Sequence, residues 1–136
     1  MGRILAIDYG RKRVGLAVTD EFQIIASGLG TVHASDTLDY LKRYIKDNEV
    51  DCFVIGEPKD MKNRPSESER FIAPFVKSLR KTFPDILIER FDERFTSRMA
   101  SQAIIDAGAK KKDRQNKALV DTVSATLILQ SYLETT

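Results

Sequence analysis

Residues 3–19 read RILAIDYGRKRVGLAVT, and this stretch decides the fold. Arg3 to Tyr9 is apolar on both alternating faces, as a central strand covered on each side requires. Arg13 to Thr19 repeats the pattern after a turn at Gly10, at the spacing of a hairpin. Gln23 to Val32 is a weaker third strand, interrupted by Gly28 and Gly30, and it completes a meander. Beyond it the period changes. Leu38, Leu41, Tyr44 and Ile45 recur at helical spacing behind Ser35 and Asp36 as candidate caps. Val50 to Gly56 is a fourth strand. Ser66-Glu67-Ser68-Glu69 is a capping-box pattern opening a helix whose apolar face is Phe71, Ile72, Phe75, Val76 and Leu79. Pro74 is expected to kink or delay that helix. Ile86 to Phe91 reads as a fifth strand, Thr96 to Ala107 as a helix stopped by Gly108, and Ala118 to Leu133 as a final amphipathic helix. The order β-β-β-α-β-α-β-α-α implies an α/β fold. Its expected core is a five-stranded mixed sheet, a three-strand meander followed by parallel strands, flanked by helices.

Composition bounds the class. A chain of 136 residues is expected to form one domain. With 42% apolar and 31% charged residues it falls in the soluble globular range. Twenty-two Lys+Arg against 20 Asp+Glu leave +2, which by itself marks neither a nucleic-acid binder nor a membrane-surface protein. A single cysteine, Cys52, excludes an internal disulfide framework and a cysteine zinc cluster, and points to a reducing compartment. Lying in an apolar run, it reads as a buried filler rather than a nucleophile. The apolar runs fall far short of the ~20 residues that cross a bilayer. Asp8 and Arg11-Lys12-Arg13 break any signal-peptide core. A cytoplasmic protein with no membrane partner is the expectation.

Three acidic positions stand against the apolar pattern. Asp8 shares an alternating face with Ile4 and Ala6 at the end of a central strand. A buried carboxylate there needs a cation, a hydrogen-bond network or the sheet rim, unless it is a turn Asp bonded to backbone before Gly10. Asp121 lies on one helical stripe with Ala125, Ile128 and Tyr132, so it points with the packing face. A carboxylate complementing the helix dipole would explain an Asp early in the helix but not that azimuth. Asp92-Glu93-Arg94 follows the fifth strand, where ligand sites collect in open α/β sheets, and also reads as a cap-and-turn cluster. Asp92 and Glu93 point to opposite sides if the strand continues, so one of the two faces the site.

Separated carboxylates near strand ends suit hard divalent cations, Mg²⁺ or Mn²⁺. Two such ions about 4 Å apart stabilise the attacking and leaving oxygens of an in-line phosphodiester displacement. His33, the only histidine, reads as a solvated loop residue. Basic clusters at Arg11, Lys12 and Arg13, at Lys59, Lys62 and Arg64, and at Lys110 to Lys117 would border the same end of the sheet and contact phosphates. Each is also, taken singly, an ordinary solvated charged loop.

Ile7-Asp8-Tyr9-Gly10-Arg11-Lys12-Arg13-Val14-Gly15, Asp92-Glu93-Arg94-Phe95-Thr96, and Val120-Asp121 with Ala125 and Ile128 to Leu133 resemble the YqgF family, in order and along essentially the whole chain. The resemblance implies an RNase H-like fold, similar to Holliday junction resolvases. It also implies a metal-dependent nuclease acting in 5′-end maturation of pre-16S rRNA during ribosome biogenesis. It assigns catalysis to Asp8, Asp92, Glu93 and Asp121, of which Asp8, Asp92 and Asp121 would hold metal. Beside the resemblance, the basic residues Arg11, Lys12, Arg13, Lys59, Arg64, Arg94 and Lys117 are expected to contact nucleic acid. Two departures stand out. The family's Gly-apolar-Pro turn is here Gly56-Glu57-Pro58, which makes Glu57 either a fourth metal ligand or a tolerated surface change. The basic approach to the last Asp is thinned to Asn116-Lys117-Ala118-Leu119.

Other functions are weighed against this one. A Holliday junction resolvase acting on DNA would favour a symmetric dimer, whereas no apolar dimer stripe is readable and a monomer or weak dimer is expected. A sugar-kinase or actin-like ATPase would need two such domains, and no Walker or dinucleotide glycine motif is present. An adaptor binding nucleic acid or ribosomal particles without cutting would keep the basic loops but has no use for the acids.

Overall fold

The first hairpin forms because two strand-forming runs flank a residue that must be glycine. In the computed structural model β1 (Arg3–Tyr9) and β2 (Arg13–Thr19) pair antiparallel, and the Gly10 N–H donates to the Arg13 carbonyl at 3.0 Å. A Cβ at Gly10 would stand 2.5 Å from that carbonyl oxygen, closer than a side chain can approach. The structure describes residues 2–57, 69–92 and 117–135, with side chains from 122 to 134 in the last stretch.

The third strand, β3 (Ala26–His33), begins later than the pattern suggests. Asp20 accepts the N–H groups of Phe22, Ile24 and Ile25, which folds the chain into a turn before pairing starts. After a 3-10 turn at Ala34–Asp36 come α1 (Thr37–Asp47) and β4 (Val50–Glu57). Then follow α2 (Glu69–Thr82), β5 (Leu87–Asp92) and α3 (Lys117–Thr135). The helix α2 runs on either side of Pro74, which sits on its exposed outer face and leaves the buried face intact. The expected helix over Thr96 to Ala107, the capping residues Ser66 to Ser68 and the basic stretch from Lys110 to Asn116 lie outside the described residues.

The sheet order is β3-β2-β1-β4-β5, antiparallel in the meander and parallel across β1–β4 and β4–β5. The α/β expectation of a five-stranded mixed sheet is met. Alternation in the central strands feeds two cores. Leu5, Ile7, Val14, Leu16, Phe53 and Ile55 pack under Leu41 of α1 and Ile72, Phe75, Val76 and Leu79 of α2. Ile4, Ala6, Ala17, Cys52 and Val54 pack against Ala125, Ile128 and Leu129 of α3. Each large side chain so buried contributes about 1.5–3 kcal/mol. The α3 face of the sheet is lined with smaller residues, and that lets the helix lie close.

Candidate active site

Register carries the site's geometry. Asp8 pairs with Gly15 across β1–β2, and Gly15 pairs with Thr31 across β2–β3. On the other side, Asp8 and Gly56 stand one residue beyond the last β1–β4 pair, Ile7–Ile55, and Gly56 pairs with Phe91. One row therefore crosses the sheet as Thr31, Gly15, Asp8, Gly56, Phe91. Ile4 and Ala6 belong to the core under α3, so Asp8 shares that face, while Ile7 and Tyr9 pack with the opposite core. A glycine stands on each side of Asp8 in this row, and Asp8 itself is half-buried.

The helix α3 is anchored at the same row. The Thr122 hydroxyl lies 2.7 Å from the Thr31 hydroxyl, and Thr126 donates to the Thr122 carbonyl at 2.9 Å. Ala125, Ile128 and Leu129 are fully buried against the sheet. Asp121, immediately before Thr122 and on the stripe of Ala125 and Ile128, is thus carried by its backbone to the Asp8 end of the sheet. Lys117 begins the same helix.

Asp92 goes elsewhere. It is the last residue of β5 and pairs with Glu57, two residues beyond the pair Arg90–Ile55, on the face that packs under α1 and α2. Asp92 and Glu57 are neighbours of each other, and alternation sets both opposite to Asp8. Among the described residues no three acidic, histidine or cysteine side chains are placed to hold one metal ion. Glu93, Arg94, Lys59 and Arg64 lie outside the described residues. Arg11, Lys12 and Arg13 are exposed on the β1–β2 turn beside Asp8, and the Lys12 carbonyl accepts the Ala34 N–H at 2.9 Å, tying the turn to the end of β3.

Sequence reasoning missed two features. Arg90 makes a two-pronged ion pair with Glu69, Nη1–Oε1 at 2.7 Å and Nη2–Oε2 at 3.0 Å, and donates to the Gly56 carbonyl at 3.1 Å. The side chains are only 20% exposed, so one guanidinium binds β5, the end of β4 and the start of α2 together. No local signal announces a pair 21 residues apart. The second is His33, which is not a free loop residue. It ends β3 opposite Arg13, and its Nδ1 accepts the Ser35 N–H at 3.1 Å, capping the 3-10 turn; Asp36, an expected cap, holds the N-cap position of α1 without a side-chain cap hydrogen bond.

An open cleft of about 820 Å³ between the ends of α1 and α2 is lined in part by Asp47, Glu49, Asp51 and Asp85. It lies at the starting ends of β4 and β5, the far end of the sheet from Asp8, and has no part in the row of the acidic site.

A family described as "RuvX: Holliday junction resolvase" matches residues 2–135. The "Putative pre-16S rRNA nuclease" of Phocaeicola vulgatus is 60% identical over 134 residues, covering 98% of this chain and 96% of its own. That of Flavobacterium psychrophilum is 56% identical over 133 residues, covering 98% and 97%. Among solved structures, T. thermophilus RuvC in complex with a Holliday junction substrate superposes with a TM-score of 0.57 at 12% identity, covering 98% of this chain and 96% of that one. At that identity the likeness shows the shared RNase H-like fold alone.

Proposed function

Because this chain belongs to the RuvX family, we propose that it is a phosphodiester-cleaving nuclease, one RNase H-like unit, acting on the 5′ end of the pre-16S rRNA. The observation that carries the reading is the row through Asp8. A half-buried carboxylate flanked by glycines at a sheet end, with α3 docked at the end of its row, suits a cation held against a phosphate. The alternative substrate is branched DNA, which the family description favours over the names of the curated relatives.

The donor set is all carboxylate oxygen, which fits magnesium or manganese rather than a soft metal. When bound, such ions supply charge neutralisation at the scissile phosphate. Asp8 and Asp121 would hold them. Because Asp92 shares its face with Glu57, opposite to Asp8, Glu93 would be the third ligand rather than Asp92, and Glu57 would be a neighbour of the site instead of a fourth ligand. Arg11, Lys12 and Arg13 position the sugar-phosphate backbone, as Lys59, Arg64, Arg94 and Lys117 do in the same reading. Such contacts read charge and shape rather than base sequence. No described helix is long and apolar enough to cross a membrane, and the proposed site of action is the cytoplasm.

A parallel assay tests this. Pre-16S rRNA fragments and a four-way DNA junction are incubated with the protein in Mg²⁺, in Mn²⁺ and in EDTA. The rRNA is expected to be cut in either metal and not in EDTA. Asp8→Asn should lower the rate at least about a hundredfold with its thermal unfolding unchanged. Cleavage of the junction alone would move the function to DNA, and full activity of Asp8→Asn would remove Asp8 from the centre.

A further inference from the structure

His33 is the chain's one histidine, and its surroundings are unlike those of a solvated loop residue. It pairs with Arg13 across β2–β3, one step beyond the pair Gly15–Thr31 on the same face. Val14 and Val32, between these pairs, pack with the opposite core, and Thr31 reaches Thr122 of α3. Arg13 and His33 therefore lie on the α3 side of the sheet, two residues along the strands from the row that holds Asp8. Residues directly opposite in such a pair have their Cβ atoms about 5 Å apart. The Lys12–Ala34 backbone bond locks the two strand ends together, so the pair is mounted on rigid backbone.

The hydrogen bonds of the ring decide what it offers. Nδ1 accepts the Ser35 N–H at 3.1 Å and lies 2.8 Å from the Ser35 hydroxyl. An accepting Nδ1 carries no hydrogen, so in the neutral ring the hydrogen sits on Nε2. The side chain is exposed, and the ring's bonds to Ser35 hold it in one orientation at the strand position opposite Arg13.

We infer that His33 is a phosphate-binding residue, donating from Nε2 to a non-bridging oxygen of the nucleic-acid strand on the Asp8 face of the sheet. This rests on the nuclease reading and adds to it a contact from an imidazole N–H.

The experiment measures Kd by fluorescence anisotropy for a single-stranded RNA in EDTA at several salt concentrations, together with KM and kcat in Mg²⁺. His33→Ala should raise Kd and KM about three- to tenfold and leave kcat within about twofold. Lys12→Gln should reduce the slope of log Kd against log salt by about 0.7. His33→Asn separates binding from capping: asparagine can still accept the Ser35 N–H but does not reach as far as Nε2. It should keep the unfolding temperature and still lose the affinity. Wild-type affinity in His33→Asn would reduce His33 to a cap and overturn the inference. If the wild-type protein binds and cleaves RNA while His33→Ala is indistinguishable from it, this inference alone fails. If the wild-type protein neither binds nor cleaves, the nuclease reading fails with it.

Discussion

Arg90 is the residue whose environment says most about what single side chains do here. Its guanidinium is largely withdrawn from water; the two terminal nitrogens are bound by both oxygens of Glu69 and by the Gly56 carbonyl, while the buried Nε has no hydrogen-bond partner among the described residues. Such a pair adds little net stability over an apolar pair, yet removing one partner strands the other charge. Arg90→Met is expected to cost about 3 kcal/mol, the low end for a buried pair because each side chain keeps some exposure. Arg90→Met with Glu69→Met should recover most of that loss. Urea unfolding of the two variants checks it, and equal loss in both would show that the Gly56 contact, not the charge, carries the energy.

At the level of elements, the docking of α3 decides whether Asp121 reaches Asp8. The helix crosses a sheet face made small by Ala6, Ala17 and Gly28. A Cβ at Gly28 would come within 2.8 Å of the Thr122 methyl group, so either the helix or the strand must give. Gly28→Ala is expected to destabilise the fold by about 1–2 kcal/mol and to slow cleavage by shifting the start of α3. Thr122→Ser removes that methyl and keeps the hydroxyl facing Thr31, so adding it should restore both. Thermal unfolding and rate measured on the same samples decide this. Recovery of stability without recovery of rate would uncouple α3 docking from the acidic centre.

For the whole molecule, pH acts through the core under α3 as well as through the site. Burial, reinforced by the Glu89 carboxylate, pushes the Cys52 thiol up from its usual 9.0 to about 11. Burial, then its hydrogen bond to Glu89, raises the Tyr132 hydroxyl as well. Both groups are folded in the protonated form, with values above those of the unfolded chain. Their contribution is complete below the unfolded value and is lost as pH rises towards the folded one. Stability should therefore fall between pH 9 and about 11, and Cys52→Ala should flatten part of that fall in a pH series of urea midpoints. An unchanged slope in the variant would place the loss on other groups.

Periodicity, turn chemistry and the resemblance carried by Ile7 to Gly15 and Asp92 to Thr96 are local, so the succession of strands and helices, the meander and the place of Asp8 at a strand end were legible in the chain itself. The stripe of Ala125, Ile128 and Tyr132 was legible for the same reason, because a helix repeats every 3.6 residues wherever it docks. Which face each carboxylate takes was not. A shift of one residue at a strand end moves a side chain to the other side of the sheet, and only the pairing of β4 with β5 set Asp92 beside Glu57 and away from Asp8. The Arg90–Glu69 pair and the His33–Arg13 pair likewise join residues far apart in sequence. No local propensity encodes such partners, and it took the closing of the sheet to bring them together.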